Sequence, residues 1–148
     1  MRLPRLRAVL PTLPRLPLRR TTPVVSYEPV LDGKPDPGEV VWAWVPFQED
    51  PTQGKDRPVL VIGRDGADLL TLPLTSKDHD RDEAQEESQG RYWMDVGRGT
   101  WDRQRRPSEV RLDRLVRLRP ADVRREGAIL PWSVFDLVVV AAREHHAI

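Results

Sequence analysis

Two short apolar runs on either side of one tight turn constrain this chain more than any other feature. Val59-Leu60-Val61-Ile62 and the apolar residues of 69–74 flank Gly63-Arg64-Asp65-Gly66. β-branched side chains lose rotamer freedom in a helix and pack well on a pleated sheet, so both runs read as strands. The glycine and aspartate between them are the residues of a tight hairpin turn.

Short strands recur along the chain. Residues 39–47 put Val41, Ala43 and Val45 on one face and Val40, Trp42 and Trp44 on the other. With both faces apolar, such a strand suits burial between a barrel interior and a helix or partner. Pro46 ends it, and polar residues 48–56, with Pro51 and Gly54, read as a loop of the kind that often carries function. Residues 91–96 alternate again, and residues 109–112 and 115–118 read as two further short strands or one bent strand. About five to seven short strands with little helix predict a mainly β fold, a small barrel. At the C-terminus the signals conflict. Val138-Val139-Val140 favours a strand locally, whereas Pro131 suits the first turn of a helix and Ala141-Ala142-Arg143-Glu144 are helix formers. Trp132, Phe135, Val139 and Ala142 share one helical face, which decides for a helix over about 131–145. Its apolar surface is wider than one barrel needs and points to a dimer contact.

Composition narrows the function classes. The chain has no cysteine, which excludes a disulfide scaffold, a thiol nucleophile and a thiolate-ligated metal. No apolar run approaches the roughly 18–20 residues a membrane helix needs, so no membrane association is expected. The three histidines, His79, His145 and His146, have no metal-ligand spacing, and neither metal nor cofactor is expected. The net charge of +1 hides an asymmetry. Residues 1–22 hold six arginines and no acid, and residues 1–37 hold eight of the fifteen prolines. Proline removes backbone donors and fixes φ, so residues 1–37 read as a disordered, basic, partly polyproline-like tail. Its prolines interrupt every candidate secretory core, and nothing marks a transit-peptide cleavage site. A tail of no defined role is the plain reading, and a phosphate-attracting arm the functional one. Residues 38–148 then form the single folded domain.

Three segments, in order, resemble the MazF/PemK family of toxins from type II toxin–antitoxin systems. Gly38-Glu39-Val40-Val41-Trp42 is similar to the family's opening strand. Gly54-Lys55-Asp56-Arg57-Pro58-Val59-Leu60-Val61-Ile62 resembles its G-x-x-R-P followed by an apolar strand, and Leu72-Pro73-Leu74-Thr75-Ser76 its P-L-T-S strand end. The resemblance continues loosely through Ser108-Glu109-Val110-Arg111-Leu112-Asp113 to the terminal helix. It implies an SH3-like barrel, a homodimer, a cytoplasmic endoribonuclease that cleaves single-stranded RNA without metal, and a cognate antitoxin. It also implies that Arg57 and Thr75 serve the scissile phosphate, with Ser76 a weaker candidate. A barrel of the same ancestry that binds RNA or a protein without cleaving is the alternative.

The chemistry fits those residue types. RNA carries its own nucleophile, the ribose 2′-hydroxyl, so the protein has mainly to orient the phosphate and stabilise its charge. A guanidinium pairs bidentately with phosphate and stays protonated at ordinary pH. Thr75 would donate its hydroxyl, and backbone amides from Gly54 through Lys55 to Arg57 would assist. Read without the resemblance, Arg57 is a solvated residue at a strand start and Thr75 a turn donor. His79, near Thr75, reads as a solvated loop residue rather than a general base.

Two charged stretches complete the reading. Residues 77–90 carry six acids against Lys77 and Arg81, a solvated loop or a pseudo-substrate segment that competes for a basic groove. Residues 98–125 carry ten arginines. Among them Arg103, Arg105 and Arg106 are candidates for phosphate contact while Trp101 stacks on a base. The opposing reading puts Trp101 in the core.

Overall fold

The structure, a computed structural model, describes residues 22–76 and 83–148. It contains strands β1 (Val24–Val25), β2 (Glu39–Pro46), β3 (Gly54–Asp65) and β4 (Asp68–Thr75), then helix α1 (Glu83–Ser88). Strands β5 (Trp93–Gly97), β6 (Ser108–Arg111), β7 (Val116–Leu118) and β8 (Val123–Ile129) follow, and helix α2 (Trp132–Ala142) closes the chain. The eight strands form one antiparallel sheet along the path β5-β6-β4-β3-β2-β8, with β1 added to β3 and β7 to β4. No pairing among the described residues joins β5 to β8, so the barrel is open at that seam.

The hairpin that anchored the sequence reading is the centre of the sheet. Asp65 and Asp68 are partners, which leaves Gly66 and Ala67 as the two-residue loop. Gly66 has φ 62°, the left-handed region that side chains disfavour. Gly63, expected in the turn, lies inside β3 beside a register shift. A Cβ there would meet the Val24 carbonyl oxygen at 2.1 Å, so this glycine makes room for β1.

Both faces of β2 and β3 are buried, in two separate cores. Val40, Leu60 and Ile62 join Leu70, Leu72 and Leu74 of β4 beneath Phe135, Val138, Val139 and Ala142 of α2. On the opposite face Val41, Ala43, Val45, Val59 and Val61 pack with Leu69, Val116 and Leu118. Period-two alternation sends successive residues to opposite cores. α2 forms as expected, although Pro131 is its N-cap rather than its first residue.

One expectation needs correction. Residues 1–21 of the supposed tail lie outside the described residues, but from Val24 the chain pairs with the domain. Val24 and Val25 pair with Arg64 and Gly63, and Tyr27 donates its hydroxyl to the Leu130 carbonyl at 2.8 Å. The Tyr27 ring also meets Trp132 and Phe135 at centroid distances of 5.2 and 5.0 Å. Proline blocks a helix but not a two-residue strand, so proline content misplaced the boundary. β8 lies where the sequence reading assigns no element. It was not anticipated, because its Val-Arg-Arg-Glu-Gly-Ala-Ile sequence lacks regular alternation. It pairs with β2 through two register shifts.

Candidate functional site

The inward row of β3 ends in cations. Val59 and Val61 lie in the second core, and the same period-two row continues outward through Arg57 to Lys55. On β4 the neighbouring row runs Leu69, Thr71, Pro73, Thr75. Val59 is the partner of Pro73, and the same register carried two residues further sets Arg57 abreast of Thr75. The two residues the motifs singled out, 18 positions apart in sequence, thus meet at one mouth of the sheet.

A cleft of about 430 Å³ opens there, lined by Arg57, Thr75, Lys55, Pro73, Phe47, Gln48 and Glu49 together with Glu86, Arg91, Trp93, Arg111 and Arg114. β6 supplies Arg111, the partner of Trp93 on β5. The Arg111 guanidinium is fixed by Asp113, with Nη2 to Oδ2 at 2.8 Å, and by Gln48 Oε1 at 2.9 Å. Arg114 reaches the same mouth by donating to the Pro46 carbonyl. Burial lowers the pKa of Arg57 from its ordinary value; Glu49 opposes that fall and Arg111 adds to it. Arg114 is lowered for the same first reason, with Arg111 and Arg57 repelling its charge further. Three guanidinium groups crowded at the edge of a core make a strong claim on an anion.

The other sequence candidates are placed elsewhere. Gly54 opens β3 beside Pro46 and does not line the cleft; a Cβ on it would meet the Val45 carbonyl oxygen at 2.4 Å. Ser76 lies in a separate depression with Asp95, Gly97, Arg98 and Glu109. Trp101 is 3 % exposed and belongs to the first core. Its indole nitrogen donates to Ser108 Oγ at 3.0 Å, and its carbonyl accepts from Trp42 at 2.8 Å. A ring held this way has no face for a base, which corrects the stacking expectation. Arg103 and Arg105 are exposed on the following loop, outside the cleft, and Arg106 is paired with Asp102 at 2.8 Å. His79 lies outside the described residues. His146 bonds the Leu112 carbonyl at 2.9 Å, and no cluster of metal-ligating side chains occurs among the described residues.

Arg91, Arg111 and Arg114 were missed. For Arg111 a signal was available, since an arginine alternating with Val110 at a strand end reaches the rim of a core. For Arg91 the alternation of 91–96 put it on the face of Trp93, and for Arg114, in a connecting segment, there was no signal.

Comparison with known proteins decides the ancestry. A family model described as PemK-like, MazF-like toxin of type II toxin-antitoxin system matches residues 36–145. The chain belongs to this family. No curated protein sequence matches it. Among solved structures, MazE-MazF (Form-II) from Deinococcus radiodurans aligns with TM-score 0.52 at 20% identity, covering 76% of this chain and 96% of that one. Mycobacterium tuberculosis toxin MazF-mt6 aligns with TM-score 0.46 at 18% identity, covering 74% and 99%. The Deinococcus likeness carries the fold: a MazF-like antiparallel sheet with a C-terminal helix. Residues 22–35, which hold β1 and Tyr27, precede the part of this PemK/MazF chain that the family model matches.

Proposed function

We propose that this toxin-family chain is an endoribonuclease that cleaves single-stranded RNA by attack of the ribose 2′-hydroxyl on the adjacent phosphate. The observation that carries the proposal is the convergence of Arg57, Thr75, Lys55, Arg111 and Arg114 on one cleft. The O2′–P bond forms as the P–O5′ bond breaks. The 2′-hydroxyl proton passes to solvent and the departing 5′-oxygen takes a proton from solvent, so the reaction asks the protein for no nucleophile of its own and for no metal. It asks for donors aimed at the phosphate as charge builds on its oxygens. Arg57 offers a fork of N–H groups that matches two phosphate oxygens, and the Thr75 hydroxyl adds a donor alongside it. A fixed donor of this kind lowers a barrier by about 2.7–4 kcal/mol. Lys55, Arg111 and Arg114 then hold the flanking phosphates.

The functional form in this proposal is a cytoplasmic homodimer restrained by a cognate antitoxin. Trp132, Leu137 and Val140 of α2 are 56, 58 and 56 % exposed, an apolar surface on a helix whose other face is already buried. The Deinococcus neighbour is a MazE-MazF structure, which supports an antitoxin partner here. One feature favours a second reading, a binding module that does not cleave. Among the described residues no histidine lines the cleft, so no described lining side chain ordinarily titrates near neutrality.

Incubation of the full chain with single-stranded RNA separates the two readings. Cleavage that leaves 2′,3′-cyclic phosphate ends, reduced about 100-fold or more in Arg57→Ala with folding unchanged, is the expected result. Tight binding with intact RNA would establish the binding module instead.

A further inference from the structure

We propose that Arg91 is a further phosphate-binding residue of the cleft, and that Glu86 is a built-in carboxylate that holds its place until RNA displaces it. The inference rests on the RNA-binding reading above and assigns a role to the acidic segment that reading left unused.

Glu86 and Arg91 line the same cleft as Arg57 and Thr75. Arg91 turns both its Nε and its Nη2 to Glu86, the latter at 3.3 Å to Oε1. Trp93 Nε1 donates to Glu86 Oε2 at 3.2 Å. The planar fork that meets a carboxylate in this way meets two phosphate oxygens equally well, because the donor spacing is the same. A carboxylate thus occupies one arm of a cleft whose other arms are cationic. Among the described residues that line it, the cations Lys55, Arg57, Arg91, Arg111 and Arg114 outnumber the carboxylates Glu49 and Glu86, with Asp113 behind them paired to Arg111.

Glu86 is mounted so that it can yield. α1 is six residues long and none of its side chains is buried. A helix of that length has little stability of its own, and the Glu86 carboxylate reaches the cleft wall through its bonds to Arg91 and Trp93. Arg91, by contrast, leads directly into β5, whose partner strand β6 carries Arg111. When RNA enters, the fork stays in place and the carboxylate turns to solvent. The pair is an exchange of one anion for another at a fixed cation.

The test measures the affinity of the full chain for a single-stranded oligonucleotide with 2′-O-methyl groups throughout, which cannot be cleaved. Glu86→Gln should bind about two- to fivefold more tightly at low salt, and its salt dependence should steepen by about one released counterion. Glu87→Gln, the same charge change on the exposed side of α1, should leave affinity unchanged. Arg91→Lys keeps the charge but removes the fork; it should bind more weakly and show no further gain from Glu86→Gln. Equal effects of Glu86→Gln and Glu87→Gln would overturn the proposal, as would a gain that persists in full without Arg91. Thermal melting of each variant verifies the fold, and Glu86→Asp, too short to reach the fork, gives a second route to the same comparison. If the wild-type chain, correctly folded, binds no oligonucleotide, the RNA reading itself fails and this inference falls with it. If it binds and Glu86 is neutral, only the inference fails.

Discussion

Replacement of Trp101 tests whether burial or base stacking explains this side chain. A tryptophan buries about 200 Å² of surface, and at about 25 cal/mol per Å² its removal forfeits up to about 5 kcal/mol. That figure is an upper bound, because the unfolded chain already hides part of its apolar surface. Collapse around the gap is limited on one side by Val40 and Gly127, where a Cβ on the glycine would lie 2.0 Å from the Val40 carbonyl oxygen. Trp101→Ala should therefore cost about 3–5 kcal/mol, the usual range for a large aromatic in a core. Trp101→Phe keeps most of the ring and loses the bond to Ser108, itself 2 % exposed. An orphaned buried hydroxyl adds about 1–3 kcal/mol. Urea denaturation gives both values, and titration with the uncleavable oligonucleotide gives affinity. The core assignment requires a large loss of stability for Trp101→Ala, and for Trp101→Phe a smaller loss with RNA affinity unchanged. A Trp101→Phe protein of wild-type stability that binds RNA tenfold more weakly would refute it.

Further predictions follow from other contacts. Gly63→Ala should push β1 off the sheet and cost about 1–3 kcal/mol. Hydrogen exchange should then speed at the Ser26 amide, which bonds the Ile62 carbonyl at 3.2 Å, while amides of the β3–β4 hairpin stay protected. The hydrogen bond from Arg106 holds the Asp102 carboxyl below its ordinary pKa. A depressed folded value contributes stability above the unfolded pKa of about 3.9, lost as pH falls through the folded value. Urea midpoints at pH 6 and pH 3 should therefore differ more for the wild type than for Asp102→Asn. Leu137→Glu should convert a dimer to monomers in sedimentation equilibrium without loss of helix; an unchanged mass would remove α2 from the dimer contact.

The parts legible in the sequence were those where local pattern and tertiary environment agree. β2, β3 and β4 are runs whose alternate residues enter two cores, so β-branched composition and burial point the same way. β1 and β8 escaped notice because tertiary pairing, not local propensity, makes them strands. Val24 and Val25 pair only where Gly63 leaves space. β8 is held by β2 across two irregularities despite three charged residues. The site shows the same division. Arg57 and Thr75 stand in ordered motifs, whereas Arg114 reaches the cleft from a connecting segment whose geometry leaves no periodic trace. Trp101 was undecidable locally, since an indole near arginines suits either a core or a nucleic-acid surface.

The continuity of Lys55 and Arg57 with Val59 and Val61 has a consequence for folding. A slip of one residue along β3 would exchange its two faces. Leu60 and Ile62 would then leave the core beneath α2, Val59 and Val61 would leave the opposite one, and Lys55 and Arg57 would move to the face of Asp56, away from Thr75. The register that fills both cores is therefore the same register that presents the two cations at the cleft. A misaligned sheet mispacks and loses its grip on phosphate in one step, so the refolding yield of a β3 variant is as informative as its activity.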